Sequence, residues 1–113
     1  MAEVADWFAS MGAALAKEVD RLWADENEPA YRGACLAEEV GEVNRAITKR
    51  RHASRARDGR CKGKTVDEWT EELRIELAQT LGVILDIAHR EEFELVSLVE
   101  ECLVILQHRE EGS

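Results

Sequence analysis

The sequence predicts an all-α protein, a four-helix bundle in which the second and third helices pack antiparallel. The chain has 113 residues, of which 45% are hydrophobic and 35% charged, with one Pro and 5% aromatic residues. This balance is typical of a folded helical domain rather than a disordered chain or a β-sheet protein. Apolar residues also recur at steps of three and four, the period of an amphipathic helix. We expect a single domain over residues 1–113.

The first helix is predicted from about residue 4 to 23 and the second from about 30 to 51, with a polar break over 25–29. The first stripe comprises Val4, Trp7, Met11, Leu15, Val19 and Leu22. The second helix is expected to turn inward Leu36, Val40, Val43 and Ile47. Residues 49–64 then carry eight Lys and Arg against one Asp and lose this period. They are predicted to form a basic, flexible loop.

The third helix has a clear predicted start, because Thr65 and Glu68 have the spacing of a capping box. Its stripe comprises Val66, Trp69, Leu73, Leu77, Thr80, Ile84 and Ile87, ending near residue 89. A last helix over about 95–108 is apolar on most sides, which predicts that it is central in the bundle or lies at an oligomer interface. Residues 109–113 are expected to fray.

Charge and cysteine content restrict the partners and the compartment. The net charge is −9 and the isoelectric point about 4.8, which argues against nucleic acid or an anionic membrane as the main partner. The three cysteines show no C-x-x-C spacing, and the start of the chain does not resemble a signal peptide. No apolar run approaches membrane-spanning length. We therefore expect a cytoplasmic protein.

One pattern of apolar and acidic residues occurs twice, around Glu39 in the second helix and around Glu76 in the third. In each helix it places carboxylate or amide side chains one turn apart at the edge of the apolar stripe. Packed antiparallel, the two helices could gather a cluster of oxygen ligands of the kind that Mg²⁺ prefers. The cluster would comprise Glu38, Glu39, Glu42, Glu72 and Glu76. The alternative is a structural or solvated charge cluster, since helical proteins are rich in Glu.

These segments resemble the EExxE…ExxD signature of the MazG-type, all-α nucleoside triphosphate pyrophosphohydrolases. The first motif matches Glu38-Glu39-x-x-Glu42, and the second is similar to Glu76-x-x-Gln79. The resemblance implies a homodimer or homotetramer that uses Mg²⁺, with Mn²⁺ as an alternative. The reaction it implies converts a (deoxy)nucleoside triphosphate and water into the monophosphate and pyrophosphate.

The resemblance also implies roles for individual residues. Metal ligands would be Glu39, Glu42, Glu76 and Gln79. Glu38, as a further ligand or as the group that orients or deprotonates the water, would act with Glu39 in catalysis. Gln79 departs from the family motif, which has Asp there, and a neutral amide offers an oxygen without charge. Glu72, one turn before Glu76, could compensate as a metal ligand.

Substrate-binding residues are predicted from two other parts of the chain. Lys64 and Arg60 from the basic segment could bind the triphosphate, because cations stabilise transferred phosphoryl charge. Trp7 or Trp23 could stack on the base, with core packing as the alternative for Trp7.

Two other functions stay open at the level of the sequence. A MazG-like bundle with a degenerate site could bind a nucleotide or a protein partner without efficient catalysis, and Gln79 favours this alternative. A helical interaction module with no nucleotide role would require the carboxylate cluster to be accidental.

Overall fold

The computed structural model describes residues 2–23 and 29–109, except for the side chains of residues 23, 29 and 30. It contains four helices and one short hairpin. These elements are α1 (Ala2–Trp23), α2 (Pro29–Arg55), β1 (Arg60–Cys61), β2 (Lys64–Thr65), α3 (Val66–Arg90) and α4 (Leu95–Arg109). The all-α prediction is confirmed. The predicted polar break falls largely on residues 24–28 and the frayed tail on 110–113, both outside the described residues.

The chain divides into two compact units. Residues 28–83 form one, called here the hairpin unit, and residues 1–27 with 84–113 form the other, called here the terminal unit. The hairpin unit contains α2, the hairpin and the first five turns of α3. The terminal unit contains α1, the last turns of α3 and α4. Among the described residues, no helix combines the length and apolarity needed to cross a membrane.

The core of the hairpin unit is built around Trp69, which is 1% exposed. Its indole packs with the small side chains of Ala46 and Ala53 from α2. Cys61, Val66 and Leu73 pack against this cluster. A large side chain on α3 therefore meets small ones on α2, which fills the space between the helices without voids.

The start of α3 has the predicted capping box. The Glu68 amide donates to Thr65 Oγ1 over 3.2 Å, and the Thr65 amide donates to Glu68 Oε1 over 3.1 Å. These bonds satisfy two backbone donors that the first turn of a helix leaves without partners. They also hold the pKa of Glu68 below its ordinary value, since the carboxylate accepts both the amide and the hydroxyl of Thr65.

The prediction of a loop over residues 49–64 is wrong except for residues 56–59, which connect α2 to β1. Residues 49–55 are the last turns of α2, and residues 60–65 form an antiparallel hairpin with Cys61 opposite Lys64. Lys62 and Gly63 make its two-residue turn with φ angles of 53° and 79°, and positive φ at both positions is what a type I′ turn requires. Strands of two residues are too short for an alternating pattern to reveal them.

The predicted inner stripe of α2 is also partly wrong. Val40 is 53% exposed and Ile47 is likewise exposed, whereas Ala46 and Ala53 are buried. On α3, Leu77 and Leu81 are exposed as well. The face of α2 that packs toward α3 is thus marked by small residues, and part of its apolar periodicity belongs to an outward face.

The terminal unit is held by polar contacts as well as by packing. Asp86 on α3 is 1% exposed and accepts a hydrogen bond from Arg90 Nε over 2.9 Å. The same guanidinium donates to Asp20 on α1 over 2.8 Å. Gly12 lies close to α3, where an added Cβ would be 3.2 Å from His89 Cβ. The missing side chain at Gly12 therefore permits the close approach of α1.

The helix α4 has no buried residue along its described length. Its most exposed large apolar residues are Val99, Leu103, Val104, Ile105 and Leu106. Of the two predicted positions for this helix, the central one is wrong. The prediction that Trp7 packs in a core is also wrong, because Trp7 is 56% exposed and contacts Phe8 edge to face.

Candidate active site

The predicted carboxylates meet inside the hairpin unit. Glu39 and Glu42 on α2 lie on the same helix face as Ala46 and are half-buried, as is Glu76 on α3. The carboxyl groups of Glu39 and Glu76 are close enough to share a hydrogen bond. The two helices run antiparallel here, because Ala46 lies near Trp69 while Glu39 lies near Glu76.

Glu39 is the most perturbed acid of this cluster. Its pKa is raised from 4.5 to about 6, first by burial and then by the hydrogen bond to Glu76. The negative charges of Glu76, Glu38 and Glu42 also oppose its ionisation. At neutral pH the cluster therefore concentrates negative charge, and no cation of the described residues is among the groups that shift the pKa of Glu39.

One oxygen of Glu39 receives no hydrogen bond from an N–H or hydroxyl group of the described residues. Its Oε2 is inaccessible to solvent and accepts no bond from the described part of the chain. A buried carboxylate oxygen without a donor is costly, and a bound cation is one of the few groups that removes the cost. The donor chemistry of this group of carboxylates thus fits Mg²⁺.

The carboxylate side chains lie farther apart than the ligands of an occupied metal site. Within residues 2–23 and 29–109, no three acidic, histidine or cysteine side chains lie close enough together to hold a metal ion. Glu38 is exposed, and Gln79 is exposed one turn after Glu76. Glu39 and Glu76 are the pair that the fold brings into contact, and the remaining predicted ligands would have to change rotamer to join them.

Glu72 has a cationic partner. Its Oε2 is 3.4 Å from Lys64 Nζ, and both side chains are only partly exposed. The structure therefore gives Glu72 an ion pair with the hairpin, which is compatible with a place beside the cluster. As a metal ligand Glu72 could use Oε1, since a carboxylate has two acceptor oxygens and only Oε2 contacts Lys64.

The two predicted phosphate-binding residues have different surroundings. Lys64 Nζ lies 4.7 Å from the centre of the Trp69 ring as well as next to Glu72. Arg60 donates from Nη1 to the Gly63 carbonyl over 3.1 Å and lies 3.8 Å from Glu68, so it braces the hairpin. Of the two, Lys64 is the one that lies beside the carboxylates.

The predicted base-binding residues belong to the terminal unit. Trp7 belongs to the terminal unit, where its exposed ring contacts Phe8 at a centroid distance of 5.0 Å. The side chain of Trp23 lies outside the described part of the chain. A stacking role for either residue stays a prediction.

Arg45 was not among the residues that the sequence singled out. Its guanidinium carbon lies 5.4 Å from the centre of the Trp69 ring. The signal available in the sequence was its position three residues after Glu42, which places it on nearly the same face of α2. The aromatic partner could not be foreseen, because it comes from another helix.

The chain matches no family model, no curated protein and no solved structure. The resemblance of the two motifs to the MazG-type enzymes therefore stays a prediction from the sequence.

Proposed function

We propose that this chain is a Mg²⁺-dependent nucleoside triphosphate pyrophosphohydrolase of MazG type, active as a homodimer or homotetramer in the cytoplasm. The observation that carries the proposal is the contact between Glu39 and Glu76. Two motifs separated by more than thirty residues supply one carboxyl each, and one oxygen of the pair is buried without a partner. A purely structural helix contact would gain stability from apolar residues at these positions instead.

Each acidic residue has a role in the proposed reaction. Glu39, Glu42 and Glu76 would hold Mg²⁺, which when bound neutralises charge on the phosphate oxygens and lowers the pKa of water. Glu38 is exposed next to Glu39 and would accept the proton of the water that attacks the α-phosphate. The bond between the α- and β-phosphates breaks, and pyrophosphate leaves.

The apolar exposure supports the oligomer. Val99 on α4 is 62% exposed and Leu81 on α3 is 64% exposed. Both helices carry further exposed large apolar side chains. A series of exposed apolar side chains such as that along α4 often marks a protein–protein interaction surface. A chain of this size also gains stability by burying such surfaces against a copy of itself.

A degenerate site that binds nucleotide without turnover is the second candidate. Gln79 supports it, because a neutral and exposed amide stands where the resembled motif has a carboxylate. Fewer charged ligands would weaken Mg²⁺ binding. The two candidates differ in when turnover should appear. The enzyme should be active as the parent, whereas a degenerate site should become active only in Gln79→Asp, which restores the motif.

The deciding experiment measures pyrophosphate released from a panel of NTPs and dNTPs with Mg²⁺, Mn²⁺ or EDTA. We expect turnover by the parent and a loss of more than about 100-fold in Glu39→Gln, since even residues that only support metal ligands typically contribute 10- to 100-fold. Glu100→Gln, an exposed acid on α4, is the matched control and should retain activity. A silent parent with an active Gln79→Asp would favour the degenerate site, and silence in all variants would contradict the enzyme.

A further inference from the structure

Trp69 holds two cationic side chains that come from different elements. Arg45 Cζ on α2 is 5.4 Å from the ring centroid, and Lys64 Nζ on β2 is 4.7 Å from it. Because both distances are measured to the same ring centroid, the two cationic centres lie within about 10 Å of each other. Such contacts over an indole face are favourable and set where each charge lies.

The ring that carries these cations is fixed on all sides. Its Nε1 donates to the Cys61 carbonyl over 2.9 Å, and the side chain is 1% exposed against Ala46 and Ala53. The tight turn of the hairpin then fixes β2, which carries Lys64. The cationic pair is therefore supported by a rigid floor, which is what precise recognition of an anion requires.

The charge of Arg45 contrasts with the acidic composition of the chain. In the part of the chain that the structure describes, Arg45 forms no ion pair, although the chain has nine more negative than positive charges. Lys64 has one carboxylate partner, Glu72, at 3.4 Å. A guanidinium that stacks on an aromatic ring keeps its N–H edge available for a planar, two-point bond to phosphate oxygens.

The pair lies next to the carboxylates. Arg45 follows Glu42 by one turn of α2, and Glu72, which pairs with Lys64, follows Trp69 by one turn of α3. We propose that Arg45 and Lys64 form a clamp, supported by Trp69, for the two terminal phosphates of the substrate. This inference deepens the proposed function and rests on it. The clamp would hold the leaving pyrophosphate, while the carboxylates act at the α-phosphate.

The test uses inorganic tripolyphosphate as the probe, titrated calorimetrically into the full chain in EDTA and in Mg²⁺. Arg45→Met keeps an unbranched side chain over the ring and removes the charge, so we expect binding about 10- to 100-fold weaker. Arg45→Lys should recover part of the affinity. Arg51→Met removes an exposed arginine from the same helix and is expected to bind like the parent.

Lys64→Met is the second variant, in case Arg45→Met alters the fold, and it should weaken binding by a similar factor. The inference is overturned if the parent does not bind tripolyphosphate, if both folded variants bind it like the parent, or if Arg51→Met weakens it equally. Turnover assays separate this result from the proposed function. If hydrolysis needs Glu39 but the KM is unchanged in Arg45→Met, the clamp is contradicted and the proposed function is not. If tripolyphosphate binds through Arg45 but no nucleotide is hydrolysed, the anion site is supported and the proposed enzymatic function is contradicted.

Discussion

Replacing Glu39 with Gln should stabilise the protein while it removes metal binding. The folded state raises the pKa of this carboxyl from 4.5 to about 6, mainly by burial and by the contact with Glu76. The folded protein therefore binds the Glu39 proton more tightly than the unfolded chain does. Stability from this group is complete below pH 4.5 and declines as the pH rises through about 6.

The size of this effect follows from the shift in pKa. The change from 4.5 to about 6 corresponds to at most about 2 kcal/mol of lost stability at neutral pH. Part of the Glu39 side chain reaches solvent, which screens the charges, so we expect about 1 kcal/mol. Gln has nearly the same shape and helix propensity as Glu, so Glu39→Gln should recover this amount at pH 7.5 and nothing at pH 4.

The assay is urea unfolding at pH 7.5 and pH 4, in EDTA and in Mg²⁺. Mg²⁺ at ten times its Kd should stabilise the parent by about 1.4 kcal/mol. It should not stabilise Glu39→Gln, although this variant is the more stable protein in EDTA. Glu100→Gln controls for the loss of one negative charge from an acidic chain. A Glu39→Gln variant that unfolds like Glu100→Gln at pH 7.5 would refute the reasoning, because the carboxyl would then carry no unfavourable energy for a metal to relieve.

Three further predictions concern the two units and the oligomer. Thr65→Ala removes the hydroxyl that caps α3, and urea unfolding should show a loss of about 1 kcal/mol. Asp86→Asn weakens the buried bond to Arg90 and should cost about 2 kcal/mol by the same measurement. Leu103→Glu puts a charge on the exposed apolar face of α4, and sedimentation should show a smaller assembly with unchanged helix content.

Each of these predictions has a matched control in the chain. Thr70→Ala removes a hydroxyl that bonds the Val66 carbonyl inside α3 and should cost less than the cap. Glu71→Gln breaks an exposed pair with Arg74 and should leave stability nearly unchanged. Ser97→Glu adds the same charge to α4 at a position that is already polar. Equal effects from a variant and its control would contradict the corresponding prediction.

The sequence predicted the parts of the fold that depend on local spacing. The cap formed by Thr65 and Glu68 is confirmed because both partners lie within one turn. The hairpin after α2 was missed because its strands have two residues each. The inward face of α2 was misjudged because Ala46 and Ala53, not Val40, pack against the indole. Periodicity identifies the faces of a helix, but the partner helix decides which face is buried.

The sequence also predicted part of the candidate site, namely the contact between Glu39 and Glu76. Glu39 and Glu76 occupy equivalent positions in two similar motifs, so antiparallel packing was enough to bring them together. The contacts of Trp69 with Arg45 and Lys64 join three elements and leave no spacing that a single sequence could reveal. The partnerless oxygen of Glu39 likewise depends on which atoms the neighbouring helix supplies.

The combination of charges favours a metal–polyphosphate complex over either ion alone. A site for free Mg²⁺ would gain nothing from Arg45 and Lys64, whose charges repel the ion. A site for a free phosphate would be weakened by Glu39 and Glu76, which repel the anion. Side by side, the two groups match a ligand in which metal and phosphate oxygens already neutralise each other in part. Lys64 already pairs with Glu72 over 3.4 Å, so the ligand would share this cation with a carboxylate, whereas Arg45 forms no ion pair among the described residues.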